Sequence, residues 1–339
     1  EVYSAAHGVS NDTNPEDTLF LGGQFYDGDG GYYSIAQYRG GQVRALSSAG
    51  VWGDVRAMAY VGTSLYVGGS FNGTADFATA LNNVGEYNTT DQTWYPMSGG
   101  IGGVVSSAVP YAPFGPSAVA FTGDFSSLYT GEADQPLEVG VDGLAMWDTL
   151  AGGWTNTPFL QGRPSLVYSD TWKDGRDSVA FAAGEFAAAA ALEANGAVLL
   201  TPSQNIQAID MMGYDLQPSD DGQFVVNAGL WYAKSNGSTP ALVVGGRFRT
   251  LDGGANVARL QDGKWQRLGD VAGEVLTLNN AANLLFVGGA ANDSAGFTGL
   301  TVLDMDKGRE YETQKLQGPD GRSTTVRVNR VAIRADTSM

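Results

Sequence analysis

A short pattern recurs along the chain: an apolar strand that ends in two glycines and is followed by an aromatic residue. It is clearest in residues 19–25 (LFLGGQF), 65–71 (LYVGGSF) and 242–248 (LVVGGRF), and weaker copies lie between and after these. The second glycines of the copies are Gly23, Gly69, Gly123, Gly184, Gly246 and Gly289, with spacings of 46, 54, 61, 62 and 43 residues. An internal period in this range predicts a solenoid or a propeller.

Paired glycines at the end of a strand need an explanation, because glycine loses the most backbone freedom on folding and packs no side chain. Two explanations are open at this level. A Cβ at these positions would clash with a neighbouring sheet, or the backbone there must take a positive φ as the chain leaves the strand. In either case the repeat glycines are structural, and we expect the aromatic residue two positions later to pack over the gap.

One repeat, residues 54–103, divides into four short strands joined by turns. The segments DVRAMAY, SLYVGGSF, NVGEYNTT and TWYPM are its first to fourth strands, and four antiparallel strands in about 45 residues are typical of a propeller blade. Trp94, Trp154 and Trp265 occupy the same place on the fourth strand, with Tyr311 close to it. We interpret these aromatic residues as packing residues rather than as a ligand site.

The sequence therefore predicts an all-β fold, a β-propeller of six four-stranded blades, with seven blades as the alternative because residues 217–233 form a long segment. Residues 1–17 are expected to be an N-terminal extension and residues 18–335 a single domain. The first blade is expected to be completed by a C-terminal strand, residues 326–334, pairing with residues 18–25 so that no sheet edge stays open. The predicted blades are residues 324–334 with 18–46, then 54–99, 104–158, 164–211, 222–269 and 273–316.

Composition excludes several classes of function. The formal net charge is −17, which disfavours nucleic acids and anionic lipid surfaces as partners. The chain has no cysteine and one histidine, His7, which we expect in a solvated tail, so Cys-His and Ser-His-Asp mechanisms are excluded and zinc is disfavoured. No cofactor and no metal site is expected. Pairs of Asp and Glu leave a carbohydrate-active enzyme open as an alternative.

Five Asn-X-Ser/Thr sequons indicate passage through the secretory pathway, with plain Asn-rich turns as the alternative. The candidate N-glycosylation sites are Asn11, Asn72, Asn88, Asn236 and Asn292. Loops after the second strand and between blades should converge on one face, the default binding surface. Its candidate residues are Tyr26, Asp27, Asp29 and Trp52. The stretch YDGDGG around Asp27 and Asp29 resembles a calcium loop, but its fifth position fails, so we expect a turn.

The glycine repeats, together with residues 256–260 (NVARL) and the outer tryptophan strand, resemble the fungal cortical polarity-marker family, whose members are large membrane glycoproteins of bipolar bud-site selection and hyphal growth. The resemblance extends through the repeats over nearly the whole chain. It implies an extracytoplasmic propeller, at the cell surface at sites of polarised growth, in a protein anchored by a membrane segment outside this sequence. It supplies no catalytic residues.

The expected function is accordingly non-enzymatic: a monomeric landmark domain that binds a protein or a cell-wall glycan through its loop face. Two alternatives stay open. One is a secreted carbohydrate-active propeller enzyme that uses an Asp/Glu pair, and the other is a rigid ectodomain spacer.

Overall fold

The computed structural model describes most of the chain. The described residues are 1–9, 17–29, 31–111, 118–131, 136–155, 160–171, 178–189, 192–193, 197–200, 206–208, 216–232, 241–261, 264–269, 271–290, 299–306, 309–311 and 328. They form six antiparallel sheets in chain order, within two compact units: sheets 1 to 4 in the first unit and sheets 5 and 6 in the second. Among these residues no helix is long and apolar enough to cross a membrane.

The described residues of the first unit form eighteen strands. Sheet 1 is β1 (Val2–Val9), β2 (Asp17–Asp27), β3 (Tyr32–Arg39) and β4 (Gln42–Ala45). Sheet 2 is β5 (Val51–Val61), β6 (Ser64–Thr74), β7 (Val84–Asn88) and β8 (Thr93–Pro96), preceded by a 3-10 turn at Ser47–Ala49. Sheet 3 is β9 (Gly100–Pro110), β10 (Ala118–Thr130), β11 (Leu137–Gly140), β12 (Leu144–Asp148) and β13 (Gly153–Thr155). Sheet 4 is β14 (Leu160–Thr171), β15 (Ser178–Ala189), β16 (Leu192–Glu193), β17 (Ala197–Leu200) and β18 (Ile206–Ala208).

In the second unit, the residues that the structure describes form nine strands. Sheet 5 is β19 (Leu216–Gln217), β20 (Val225–Tyr232), β21 (Ala241–Thr250), β22 (Ala255–Gln261) and β23 (Lys264–Arg267). Sheet 6 is β24 (Val275–Ala281), β25 (Leu284–Gly289), β26 (Leu300–Asp304) and β27 (Arg309–Tyr311). The long segment that left room for a seventh blade thus supplies the first two strands of sheet 5.

The all-β, β-propeller class predicted from the repeats is confirmed. Sheet 2 has the four strands predicted for the repeat, in the order β5-β6-β7-β8, and its first strand begins at Val51 instead of residue 54. The tryptophans of the fourth strands pack as expected. Trp94 is buried 5.1 Å from Tyr87 between ring centroids, and its Nε1–H donates to the carbonyl of Ser47 at 3.1 Å.

The expected completion of sheet 1 by residues 326–334 is wrong. β1 pairs antiparallel with β2 on one side, with His7 opposite Leu19, and β3 pairs with β2 on the other side. Both edges of β2 are therefore occupied. The residues predicted to be an N-terminal extension with a solvated tail include a strand instead, and the His7 side chain is exposed on that strand. In the region expected to supply the strand, the described residue Val328 donates its N–H to the carbonyl of Gly289 at 2.9 Å. The nearby strand β1 occupies this edge of β2 because closing a short loop costs less entropy than closing a loop of some 300 residues.

The second glycine of each pair lies against backbone of its own sheet. A Cβ built on Gly69 would lie 2.0 Å from the carbonyl oxygen of Asp54, and one on Gly246 would lie 1.9 Å from that of Val225. Gly23, Gly123 and Gly289 meet the carbonyl of the corresponding first-strand residue or its neighbour at 2.0–2.1 Å. The first strand bulges beside the glycine, as between Val55 and Ala57, so the close approach follows from the β-bulge. The structural role predicted for these glycines therefore arises within the sheet rather than from a positive φ.

The first glycine of the pair receives a valine from the next sheet. A Cβ on Gly22 would lie 2.4 Å from Cγ1 of Val55 in sheet 2, and a Cβ on Gly68 would lie 2.4 Å from Cγ1 of Val105 in sheet 3. In the second unit Gly245 meets Val275 of sheet 6 in the same way, at 2.5 Å. Sheets 1 and 2, sheets 2 and 3, and sheets 5 and 6 thus pack face to face through a valine that contacts a glycine. Two apolar cores of the first unit lie between sheets 1 and 2 and between sheets 2 and 3.

Candidate functional site

Four aromatic rings form a continuous row on the surface of sheets 1 and 2. Tyr26 stacks on Tyr33 with centroids 6.0 Å apart, Tyr33 contacts Trp52 at 5.6 Å, and Trp52 contacts Phe77 at 5.7 Å. The side chains of Tyr26, Trp52 and Phe77 are 72%, 50% and 73% exposed. Large aromatic side chains gain free energy when they are buried, so a row of them left in water marks an interaction surface. We call this row the aromatic stripe.

The strand that carries Trp52 is fixed by two close approaches. Gly50 has φ +93, and a Cβ there would lie 2.3 Å from the carbonyl oxygen of Tyr33, with which Gly50 forms a parallel bridge. Gly53 has φ +136, and a Cβ there would lie 2.3 Å from the carbonyl oxygen of Ser70. Only glycine fits both conditions at these two positions. The result is that Trp52 is held directly against Tyr33 of the preceding sheet.

Phe77 is presented by a tightly hydrogen-bonded turn between β6 and β7. Its φ is +59, in the left-handed region that bulky residues rarely adopt. The turn is held because the Thr74 hydroxyl donates to Oδ1 of Asp76 at 2.7 Å, the Ala78 N–H donates to the same Oδ1 at 3.0 Å, and the Phe77 N–H donates to the Thr74 carbonyl at 3.0 Å. A strained residue that also exposes an apolar ring suggests a constraint other than folding.

The other sheets show that the fold does not require aromatic residues at the stripe positions. Trp52 corresponds to Gly102 of sheet 3. Each of them precedes a glycine of large positive φ, Gly53 or Gly103, and that glycine pairs with the phenylalanine of the repeat. The residues that correspond to Tyr26 and Tyr33 in sheets 2, 3 and 5 are polar or small; they are Asn72, Ser126 and Arg249 for Tyr26, and Asn82, Asp142 and Ala255 for Tyr33. The aromatic character of the stripe therefore belongs to sheets 1 and 2 alone among these aligned positions.

The stripe borders a shallow groove of about 400 Å³. Its lining residues are Gln24, Phe25, Tyr26, Tyr33, Ser34, Val51, Trp52 and Gly53, all among the described residues, and none of them is Lys or Arg. Asp27 and Asp29 follow Tyr26 in the adjoining turn, where the Asp29 N–H donates to Oδ1 of Asp27 at 3.1 Å. The hydroxyl of Tyr32 has its pKa raised by partial desolvation and by the Asp27 carboxylate. The site is an apolar surface with an acidic and neutral polar rim.

The turn that presents Phe77 should weaken in acid. The Thr74 hydroxyl and the Ala78 N–H hold the pKa of Asp76 below its ordinary value. Because the folded-state pKa is lowered, the stabilisation is complete above the ordinary carboxyl pKa of about 4 and is lost as pH falls through the lowered value. We expect the amide protons of Ala78 and Thr79 to lose protection from hydrogen exchange between about pH 4 and pH 2.

The matched variant for this measurement is Asp76→Asn, which keeps the shape of the side chain and removes its titration. It should show the same protection at Ala78 at every pH in the range. Equal protection of the unmodified turn at pH 7 and at the acid end would contradict the assignment.

Of the residues predicted for a binding face, the structure brings Tyr26 and Trp52 into one row, with Tyr33 between them. Asp27 shapes the turn beside the row, and Asp29 is exposed in that turn. Sequence reasoning missed Tyr33 and Phe77. The signal for Phe77 was a large apolar residue in the otherwise small and polar loop NGTADFATA, and the signal for Tyr33 was an aromatic residue where the other repeats carry none.

Two of the five candidate glycosylation sites lie among the described residues. Asn72 is exposed near the end of β6, next to Gly73, the cross-strand partner of Trp52. Asn88 ends β7, and its Oδ1 accepts the Thr90 N–H at 2.8 Å. Asn11, Asn236 and Asn292 lie outside the described residues. All five stay predictions, and a glycan on Asn72 would lie beside the stripe.

A second concavity, of about 460 Å³, lies in the second unit between β21 and the turn before β20. Arg247 is ion-paired with Asp221, and Arg249 with Asp220. The Ser219 hydroxyl, which donates to Asp221, lowers the pKa of that carboxyl. Both arginines of this rim are paired with its aspartates, which favours a structural role. Within the described part of the chain, no group of three or more His, Asp or Glu side chains is placed to hold a metal ion.

Comparison with known proteins places the chain near fungal polarity proteins. Polarized growth protein rax2 of Schizosaccharomyces pombe is 25% identical over 151 residues, which are 42% of this chain and 12% of the relative's length. No protein-family model matches the chain.

Two solved structures from B. thetaiotaomicron are similar to the chain, and the first of them shares its fold. One is the extracellular domain of a hybrid two-component system, with a TM-score of 0.51 and 11% identity over 93% of this chain and 35% of that one. The other is the extracellular domain of a one-component system, with a TM-score of 0.44 and 11% identity over 89% of this chain and 32% of that one. At such identity the likeness concerns fold alone. The resemblance to fungal polarity proteins that the glycine repeats carry is confirmed by the similarity to rax2, and the β-propeller fold is supported by the similarity to the hybrid two-component system domain.

Proposed function

We propose that this chain is a non-enzymatic binding domain on the outer surface of a fungal cell, which helps to mark sites of polarised growth such as bud sites and hyphal tips or septa. The observation that carries the proposal is the aromatic stripe. It is exposed, held in place by hydrogen-bonded turns and glycine contacts, and not required by the fold. The similarity to polarized growth protein rax2 supplies the cellular process.

The arrangement supports binding better than catalysis. The stripe offers ring faces and a groove open to solvent, and the described residues that line the groove include no Asp, Glu, His or Lys to act as a general acid or base. A rigid, pre-formed apolar surface gives affinity because little conformational entropy is lost when a ligand binds.

The test uses the full-length protein, tagged with a fluorescent protein and produced in its own fungus. The double variant Trp52→Ala/Phe77→Ala should reach the cell surface but fail to concentrate at growth sites. The control is Tyr95→Ala, which removes an exposed aromatic residue from the outer strand of the same sheet, where its hydroxyl donates to Asp91. Normal concentration of the double variant at growth sites would refute the proposal.

The two alternatives give different results. Release of sugars from glucan, chitin or mannan by the purified domain, lost on replacing an Asp or Glu, would establish an enzyme. Normal marking of growth sites by a full-length protein that lacks this segment would establish a spacer.

A further inference from the structure

We propose that the aromatic stripe binds a neutral β-linked glucan chain whose successive sugar rings are turned relative to one another, as in β-1,3-glucan. This inference rests on the proposed function and gives it a ligand class. Its basis is the spacing of the rings, the angles between them, and the charge of the rim.

The spacing of the rings suits a polysaccharide. The flat face of a β-linked pyranose carries axial C–H groups, whose partial positive charge packs well on the negative face of an aromatic ring. Consecutive centroids in the stripe are 5.6–6.0 Å apart, close to the length of one sugar unit along a chain. Consecutive sugars can therefore meet consecutive rings, so that the whole row acts on one extended ligand.

The angles between the rings favour a turned chain over a flat one. Tyr26 and Tyr33 are nearly parallel, with an interplanar angle of 18°, but the next two steps, to Trp52 and to Phe77, are 45° and 47°. The sugar faces of a flat ribbon such as a β-1,4-linked chain are all parallel, so such a chain does not match the steps of 45° and 47° in the row. A β-1,3-linked chain follows a helical course, so its sugar faces rotate along the chain as the stripe does.

The rim favours hydroxyl groups and disfavours anions. None of the described residues lining the groove is cationic, and Asp27 and Asp29 stand at one end. Carboxylates accept hydrogen bonds from sugar hydroxyls, while they repel uronic acids, phosphates and sulfates. The net charge of −17 also repels anionic ligands over longer distances.

A proline-rich peptide is the competing ligand, because such peptides dock on aromatic-lined grooves. Proline side chains offer no donors to the carboxylates of the rim, whereas every sugar unit carries several hydroxyls. An extended peptide would gain no strand edge either, since backbone groups beside the stripe are already bonded, as in the Ala75 N–H to the Gly50 carbonyl at 2.9 Å. The observations therefore favour the sugar.

The experiment measures binding of the whole purified chain to oligosaccharides of five or six units by calorimetry and tryptophan fluorescence. β-1,3-Linked glucose oligomers should bind, and β-1,4-linked glucose, β-1,4-linked N-acetylglucosamine and mannose oligomers should bind more weakly. Trp52→Ala and Phe77→Ala should each lower the affinity about 10- to 100-fold, as expected for aromatic anchors. Tyr95→Ala should change nothing.

Two further variants sharpen the assignment. Trp52→Phe should keep most of the affinity and lose the fluorescence change, because the ring stays and the indole does not. Asn72→Gln removes any attached glycan that could occupy the stripe, and it should leave affinity the same or raise it.

The outcomes separate this inference from the proposed function. Absence of binding to every glucan, tighter binding of a β-1,4-linked chain, or binding of a proline-rich peptide in its place would overturn the glucan assignment. If the stripe variants still fail to concentrate at growth sites, the proposed function stands with a different ligand, either a protein or another glycan. If the glucan assignment is overturned and the stripe variants concentrate normally at growth sites, the glucan assignment and the proposed function are both refuted.

Discussion

Replacing Gly69 with alanine is expected to lower the free energy of unfolding by about 3 kcal/mol or more. The added Cβ would lie 2.0 Å from the carbonyl oxygen of Asp54 and 3.1 Å from the backbone nitrogen of Arg56. Both are backbone atoms of the bulged first strand, so no change of rotamer relieves the overlap. The strand must move, and its pairing with β6 is lost locally. Urea unfolding followed by tryptophan fluorescence measures the effect.

The matched controls are other glycines. Gly140→Ala on β11 meets no atom within 4 Å and has no positive φ, so the unfolding midpoint should stay unchanged. Gly68→Ala clashes with the side chain of Val105 rather than with backbone, so Val105→Ala should relieve a large part of its cost in a double-mutant cycle. If Val105→Ala rescued Gly69→Ala equally well, the backbone explanation for Gly69 would be wrong.

Replacing Asn256 with alanine is expected to cost about 4 kcal/mol, from three hydrogen bonds of about 1 kcal/mol each and a left-handed backbone. Asn256 has φ +66 and is buried. Its Oδ1 accepts the Phe248 N–H at 3.0 Å, and its Nδ2–H groups donate to the carbonyls of Val271 at 2.7 Å and Gly273 at 3.1 Å. One side chain thus joins the repeat phenylalanine to the segment that leads into the next sheet.

Asn256→Gly separates the two contributions, because it removes the hydrogen bonds and keeps the backbone unstrained. It should be more stable than Asn256→Ala by about 1–2 kcal/mol, the reverse of the usual order of these residues. Asn280→Ala, a half-buried asparagine on β24 without a positive φ, should cost much less. Equal stability of the alanine and glycine variants would show that the backbone conformation contributes nothing.

The position of Asn256 is also one at which the repeats share their backbone geometry. The residue just before the one that pairs with the first repeat glycine, or with Thr122 in sheet 3, has a positive φ in the five sheets in which it is described. Its identity varies: Ser34, Asn83, Gly143, Asn256 and Gly299. Asn83 makes two of the corresponding bonds: its Oδ1 accepts the Phe71 N–H at 3.1 Å, and its Nδ2–H donates to the Ile101 carbonyl at 2.8 Å. Sequence comparison of the repeats shows the asparagines but not the shared left-handed geometry.

The candidate site was accessible to sequence reasoning only in part. Tyr26 and Trp52 could be assigned to one face, because loops after the second strand and between sheets meet on the same side of a propeller. Tyr33 and Phe77 could not, because their place in the row depends on the parallel bridge between Tyr33 and Gly50 and on the left-handed turn at Phe77. Neither feature has a local sequence code.

The sequence by itself determined the four-stranded repeat, the β-propeller class and the structural role of Gly23, Gly69, Gly123, Gly246 and Gly289. These depend on alternation of apolar residues and on glycine, both of which act over a few neighbouring residues. Tertiary structure alone decided that Val2–Val9 completes sheet 1. It also decided that the first glycine of a pair contacts a valine of the next sheet, whereas the second contacts backbone of its own sheet. Two strands with a compatible pattern compete for one sheet edge, and the outcome depends on loop closure and long-range packing, which no short stretch of sequence encodes.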